Sequence, residues 1–271
     1  MSKTWFITGA GRGLGREYLA AALSRGDRVA ATARDTGALE EFTERYGDAF
    51  LPLTLDVTDR TQAFATVEQA VQTFGRLDVV VNNAGYPLYG AVEEISPQQL
   101  RDQFETNVIG LLNVTQAALP VLRAQSAGHL IQISSIYGVV SLPLLGGYQA
   151  TKWATEGLTE ALAAEVGGMG IKVTLVELGA YKTGFNTESA VWGETMPAYQ
   201  PVKDEFFATV PSLPVGDPAG VGPAMLKIVD AEVPPLRVLF GALGPQVTKA
   251  AYAERLAEWS DWEHLAIEAM G

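Results

Sequence analysis

Seven short apolar runs, most of them followed by a stretch with helical periodicity, constrain this chain more than any other feature. The runs are TWFIT (4–8), RVAATA (28–33), FLPLTLD (50–56), LDVVVNN (77–83), HLIQISS (129–135), KVTLVEL (172–178) and RVLFG (237–241). Their apolar residues follow one another instead of alternating with polar ones, the pattern of strands covered on both faces. Helical patterns lie between them: 14–26 ending at Gly26, 37–46, 60–74 ending at Gly75, a long helix opened by Ser96 and Pro97, 147–166, 217–231, and a tail over 245–270. Ser at the N-cap followed by Pro at the first helical position is a strong start signal. Strand–helix alternation of this kind implies an α/β fold with a doubly wound parallel sheet. There is no internal repeat or linker, so one domain over 1–271 is the simplest reading. The periodicity weakens over 184–216, where Phe185, Trp192, Met196, Tyr199, Phe206 and Phe207 stand among Pro and Gly. That segment reads as a substrate loop or lid.

Composition removes several function classes. The 271 residues include no cysteine, which excludes disulfides, thiolate chemistry and Cys-based metal sites and fits a reducing compartment. His129 and His264 are the only histidines, too few and too far apart in sequence for a zinc site or a Ser-His-Asp triad, and no metal is expected. The net charge of −12, from 31 acidic and 19 basic residues without a basic run, speaks against nucleic acid. The start, MSKTWFITGAG, lacks the apolar core of a secretory signal. The longest stretch without a charged side chain, Ala124 to Thr151, holds His129, Gln132, Ser134, Ser135 and Pro143, so it reads as a buried strand and loop instead of a membrane span. The expectation is a cytoplasmic protein with a small-molecule substrate and no membrane partner.

TGAGRGLG (8–15) joins the first strand to the first helix. Glycines there let the backbone approach a pyrophosphate, and the helix presents free N–H groups and its positive end. The spacing is Gly9, Gly13, Gly15, with Gly11 extra. At the end of the second strand, Ala33 is followed by Arg34 and Asp35. A dinucleotide site with an acidic side chain here would hold a ribose 2′-hydroxyl. A small residue with Arg beside it suits a 2′-phosphate, since guanidinium matches phosphate geometry. Arg12 adds a second cation from the glycine turn. NADP(H) is favoured, with NAD(H) possible through Asp35.

YQATK (148–152) places Tyr148 and Lys152 on one helical face. Alone the pair is weak, and its bland reading is a Lys stem resting on a Tyr ring. Together with TGAGRGLG, LDVTD around Asp56, NNAG (82–85), NVIG with Asn107, and ISS ending the fifth strand, it resembles the short-chain dehydrogenase/reductase family, over Thr4 to about Thr183. The resemblance implies a single-domain Rossmann fold with a seven-stranded parallel sheet. It implies cofactor contacts from Thr8, Gly9, Gly11, Arg12, Gly13, Leu14, Gly15, Arg34, Asp56, Val57, Asn83, Ala84, Gly85, Tyr148, Lys152, Gly179, Tyr181 and Thr183. It implies a catalytic set of Ser135, thirteen residues before Tyr148, with Tyr148, Lys152 and Asn107. Family members usually assemble as homodimers or homotetramers. One departure is Leu178, where the family usually has Pro before the Gly.

Free tyrosine has a pKa near ~10, so a neighbouring ammonium is expected to lower that of Tyr148. Tyr148 would then exchange a proton with the substrate oxygen while Ser135 steadies it. Lys152 would bind the nicotinamide ribose, and Asn107 would hold a water linking Lys152 to solvent. Pocket candidates are Tyr86, Leu88, Val140, Leu142, Pro143, Tyr181, Phe185, Trp192 and Phe206. Most are apolar or aromatic, which points to a ketone, aldehyde or secondary alcohol. VAATARD and NNAGYPLYGAVEE resemble most the hydroxysteroid and retinol dehydrogenase-like branch. The alternatives are a lyase or isomerase on the same fold without net redox change, and a non-enzymatic NADP(H) sensor.

Overall fold

The computed structural model describes residues 2–210 and 213–271, so positions 211 and 212 of the 184–216 segment lie outside the described residues. In chain order the strands are β1 (Thr4–Ile7), β2 (Arg28–Ala33), β3 (Phe50–Thr54), β4 (Val79–Asn82), β5 (Leu88–Tyr89), β6 (Gly128–Ser135), β7 (Ile171–Leu178), β8 (Val191–Trp192) and β9 (Arg237–Phe240). The helices are α1 (Gly13–Ser24), α2 (Glu40–Tyr46), α3 (Arg60–Phe74), α4 (Pro97–Phe104), α5 (Gly110–Gln125), α6 (Gly146–Val166), α7 (Gln200–Thr209), α8 (Val221–Asp230), α9 (Gly244–Asp261) and α10 (Glu263–Glu268). Seven strands form one parallel sheet in the order β3-β2-β1-β4-β6-β7-β9. The order reverses between β1 and β4, where doubly wound sheets open a crevice for ligands.

Both faces of the sheet are buried. Trp5, Ile7, Val29, Val81, Ile133 and Val176 pack on one side with α1, α2 and α8. Phe6, Ala30, Leu53, Val80, Leu130 and Val173 pack on the other with α3, α5 and α6. This two-sided burial is why the strands carry uninterrupted apolar residues.

Local signals set the element ends. Ser96 and Gln99 form a reciprocal capping box: the Gln99 N–H donates to Ser96 Oγ at 3.1 Å and the Ser96 N–H to Gln99 Oε1 at 2.9 Å. Asp59 caps α3, which ends at Gly75 with φ +80°. Several strands end earlier than their apolar runs, because the chain turns away at their ends, where Leu55 and Asn83 line the crevice. The long helix expected after Ser96 is divided by a π-helical turn over Glu105–Ile109 into α4 and α5. The tail breaks at Trp262 into α9 and α10. Within 184–216, β8 pairs in parallel with β5 and α7 follows. Two-residue strands are too short to carry a sequence pattern.

Candidate active site

A cavity of about 1330 Å³ opens at the carboxyl ends of the strands. Its first half is built from the turns after β1 to β4. Gly9, Gly11, Arg12, Gly13 and Leu14 line it, with Ala33 to Asp35, Leu55 to Thr58, and Asn83 to Pro87. Gly9 and Gly13 hold φ +65° and +57°, the left-handed region that glycine enters without strain. A Cβ on Gly9 would stand 3.0 Å from the main chain of Ala84. Helix α1 starts directly after this turn with no side-chain cap and no acid in its first turn. Its first N–H groups therefore remain available to an anion.

Thr8 and Gly15, which the family resemblance places against the cofactor, stand behind the cavity wall. Thr8 Oγ1 accepts the N–H groups of Asn83 at 2.9 Å and Ala84 at 3.1 Å. Asn83 Nδ2 donates to the carbonyls of Thr8 at 3.0 Å and Gly9 at 3.1 Å. A Cβ on Gly15 would stand 2.5 Å from Asn83 Nδ2, so this glycine lets the clasp close. These contacts tie the glycine turn to the end of β4. Asp56 accepts the Thr58 N–H at 3.0 Å and hydroxyl at 2.8 Å and lines the cavity with Val57. Asp35 Oδ1 accepts the Gly37 N–H at 2.9 Å, while Arg34 beside it is exposed.

The second half of the cavity lies over the ends of β6 and β7. Ser135, Tyr148 and Lys152 all line it. Ser135 Oγ donates to the Leu178 carbonyl at 3.3 Å and accepts the Tyr137 N–H at 3.2 Å. Lys152 Nζ donates to the Ile133 carbonyl at 2.8 Å and lies 5.6 Å from the centre of the Tyr148 ring. Burial pushes the Tyr148 phenol above its ordinary range, and a hydrogen bond with Ser135 opposes this. The expected lowering is therefore not a property of the protein alone. Burial also brings the Lys152 ammonium down to about 8, against the opposing pull of Glu156.

Asn107 sits on the π-helical turn and does not line the cavity. Its Nδ2 donates to the Tyr86 carbonyl at 3.0 Å and to Thr151 Oγ1 at 3.1 Å, and its Oδ1 accepts the Tyr86 N–H at 3.1 Å. It thus fastens the 85–86 turn to helix α6 between Tyr148 and Lys152. Such turns often mark functional positions in helices. Gly179, Tyr181 and Thr183 line the cavity after β7. The Gly179 N–H donates to the Phe240 carbonyl at 2.7 Å, which anchors this turn without the proline that Leu178 replaces.

Of the substrate-pocket candidates, Tyr86, Tyr181, Phe185 and Phe206 line the cavity. Leu88, Val140, Leu142, Pro143 and Trp192 do not. Leu88 is buried against α6, Val140 is buried after the turn that follows β6, and Leu142 and Pro143 face outward. Trp192 is half exposed and stacks on Tyr89 with ring centres 4.6 Å apart. Tyr89, Tyr137, Leu145, Asn186, Val191 and Val210 line the wall instead. Tyr137 and Leu145 flank Ser135 and Tyr148 closely in sequence, the one signal that could have found them.

The residues of the first half fit a dinucleotide. Gly11 would bring a Cβ to 3.3 Å from Ala33 Cβ, and Gly13 faces Thr183 across the same hollow. Glycine thus keeps open a cradle that side chains would fill, at an uncapped helix start. The profile of the short chain dehydrogenase family matches residues 3–193. The chain is 37% identical to oxidoreductase BOA17 of Botryotinia fuckeliana, over 98% of this chain and 99% of that one. It is 35% identical to 3-ketodihydrosphingosine reductase of Bacteroides thetaiotaomicron, over 88% and 87% of the two chains. A crystal structure of a short-chain dehydrogenase from Streptomyces avermitilis superposes with a TM-score of 0.93 at 37% identity, covering 99% of this chain and 98% of that one. A short chain dehydrogenase from Burkholderia cenocepacia in complex with NADP superposes at 0.77 with 25% identity, covering 96% and 97%. With sheet order, glycine turn and sequence match in agreement, this chain belongs to the short-chain dehydrogenase family of oxidoreductases.

Proposed function

We propose that the protein transfers hydride between NADP(H) and an apolar ketone, aldehyde or secondary alcohol. The observation that carries this reading is the convergence of Ser135, Tyr148 and Lys152 on one cavity, next to a wall of Tyr86, Tyr89, Tyr137, Phe185 and Phe206. Among the described lining residues of that half, Lys152 is the sole cation, so a carboxylate substrate lacks a dedicated partner. The relative from Bacteroides thetaiotaomicron, named for reduction of a keto compound, supports a ketone.

When bound, the nicotinamide supplies the hydride. In the reductive direction the Tyr148 phenol gives its proton to the substrate oxygen. Burial keeps the phenol protonated but makes it a weaker acid, so its donation depends on the hydrogen bond from Ser135 and the neighbouring ammonium. Ser135 donates a hydrogen bond to the same oxygen as negative charge develops there. The Lys152 ammonium stabilises the phenolate left on Tyr148. Asn107 keeps the 85–86 turn and α6 in register, and a water held by it would return the proton from solvent. Arg34 and Arg12, together with the commitment of Asp35 to Gly37, favour a 2′-phosphate over a free 2′-hydroxyl. The NADP-bound Burkholderia relative agrees with that preference. Phe185, Asn186, Val191, Phe206 and Val210 line the substrate half.

Replacement of Tyr148 by Phe tests the reading. With a panel of apolar ketones and NADPH, turnover should fall roughly 100- to 10,000-fold while NADPH binding, followed by fluorescence, persists. Wild-type-like turnover in that variant would remove Tyr148 as the acid. Among the described residues no helix is long and apolar enough to cross a membrane. A cytoplasmic location and a homodimeric or homotetrameric state belong to the same proposal.

A further inference from the structure

Next to Tyr148 and Lys152, but outside the cavity lining, lies a group of charges that hydride transfer does not itself require. Tyr148, Lys152 and Glu156 succeed one another at four-residue spacing on α6, so they stack along one helical face. Glu156 is buried, with 6% of its surface exposed. Beneath it, β6, β7 and β9 run side by side. Ser134 is opposite Glu177 and Leu175 is opposite Arg237, which puts Ser134, Glu177 and Arg237 on the sheet face that α6 covers. Arg237 Nε reaches Glu156 Oε2 at 3.3 Å and Glu177 Oε1 at 3.7 Å, and Arg237 Nη2 reaches the exposed Glu160 at 3.1 Å. Gly138 leaves room for the group: a Cβ there would stand 2.8 Å from Ser134 Oγ and 3.0 Å from Glu156 Cγ.

A buried ammonium needs a counter-charge, or it gives up its proton. Lys152 is 6% exposed, and its hydrogen-bond acceptor is the neutral carbonyl of Ile133. The carboxylate one helical turn away is Glu156. The charged groups that face Glu156 are Lys152 and Glu160 on its own helix, Glu177 on β7 and Arg237 on β9, while β6 presents the Ser134 hydroxyl.

We propose that Glu156 is a positioning residue that keeps the Lys152 ammonium charged and aimed at Tyr148, and that Arg237, which also reaches Glu177, holds the Glu156 carboxylate for that task. This rests on the acid–base reading of Tyr148 and Lys152. Burial pushes the Glu156 carboxyl up, and Ser134, Arg237 and Lys152 oppose that rise, while Glu156 in turn offsets part of the cost of burying Lys152. Glu177 adds a titrating neighbour. Burial, and then the like charge of Glu156, bring its carboxyl up to about 7, so the balance of the group changes near neutral pH. Lys152 itself, lowered by burial and raised by Glu156, stands at about 8, where a modest change in its surroundings alters its charge.

The test follows Lys152 directly. In cofactor-free protein containing 13C-labelled lysine, the Lys152 resonance is assigned through Lys152→Arg and titrated in the wild type, Glu156→Gln and Glu156→Asp. Glu156→Gln should bring the Lys152 titration down by about one pH unit or more. The alkaline limb of kcat/KM should move the same way in the cofactor-loaded enzyme. Glu156→Asp, one methylene shorter, should shift both less and in the same direction. Lys152 titrations that coincide in all three proteins overturn the proposal, even where melting temperature or activity falls, because a purely structural carboxylate has that effect. Should Glu156→Gln fail to fold, Glu156→Asp decides alone by the same reading. Turnover that survives Tyr148→Phe would remove the acid–base reading, whereas the Lys152 titration would still report on Glu156.

Discussion

Arg34 stands exposed on the cavity rim at the end of β2, with Arg12 across the glycine turn at the same end of the cavity. Arg12 Nη1 lies 3.7 Å from Glu188, but both side chains are largely in water, so the pair is weak and open to exchange for a phosphate. A charge-assisted hydrogen bond to phosphate contributes about 1.5–3 kcal/mol. Arg34→Ala should therefore weaken NADPH binding roughly 10- to 100-fold in a fluorescence titration and leave NADH nearly unchanged. An equal loss for both cofactors would sink the 2′-phosphate assignment. The sequence left Asp35 open as a ribose partner, since the choice depends on how the chain turns after β2. The turn brings the Gly37 N–H to Asp35 Oδ1, a local bond that adjacency alone does not fix. Gly9 was legible for the opposite reason. A residue other than glycine at its positive φ would cost about 1–2 kcal/mol and would also press on Ala84. Both demands follow from a tight strand-to-helix turn.

Elements that bury a continuous face were readable, and those that answer to a distant partner were not. The seven sheet strands and α3 lie close to where their apolar runs and caps put them, because burial on both faces dictates composition directly. The π-helical turn at Asn107 has no such signature. It answers to the Tyr86 backbone and Thr151, which come from other parts of the chain. The same holds for the stretch around β8 and α7. Its anchor is Glu94, a buried carboxylate that accepts the Ala91 N–H at 2.9 Å, the Met196 N–H at 2.7 Å and Lys203 Nζ at 2.6 Å. Burial pushes this carboxyl up, but the hydrogen bonds from Lys203, Met196 and Ala91 outweigh it and bring it down to about 2. A group lowered in the folded state contributes stability above its unfolded pKa, near ~4.3 for glutamate, and loses it as pH falls toward the folded value. The anchor is thus intact at neutral pH and fails between about 4 and 2. Glu94→Gln at neutral pH should raise hydrogen exchange over 191–206 and increase KM for an apolar ketone more than it lowers kcat. Exchange unchanged from the wild type would show that β5–β8 pairing alone holds the segment.

On the scale of the whole molecule, surface area points beyond one chain. The structure exposes 13572 Å² for a chain of 28.9 kDa. A compact monomer of that mass exposes about 11,400 Å², so roughly 2,000 Å² is in excess. Much of it is apolar and concentrated at the end of the chain. Leu256, Trp259, Trp262 and Ile267 are 57, 64, 60 and 70% exposed. Helix α9 buries only Gly244 among its own residues, and α10 buries none. An isolated helix in water does not hold such residues to advantage, since helical stability comes mainly from packing an apolar face. A standard protein–protein interface buries about 1,600 Å² in total, which the excess can supply. The acidic balance of the chain, −12 overall, limits indiscriminate association and leaves a specific apolar contact as the way to cover the tail. The expected state is accordingly a homodimer or homotetramer, with a light-scattering mass at two or four times 28.9 kDa at micromolar concentration. Trp259→Ser combined with Trp262→Ser should shift that mass toward the monomer while circular dichroism remains that of a folded α/β protein. These side chains already face solvent in the single chain, so their loss removes no core. A wild type that sediments as a monomer at tens of micromolar would refute the assembly. A double variant with the wild-type mass would move the interface away from the tail.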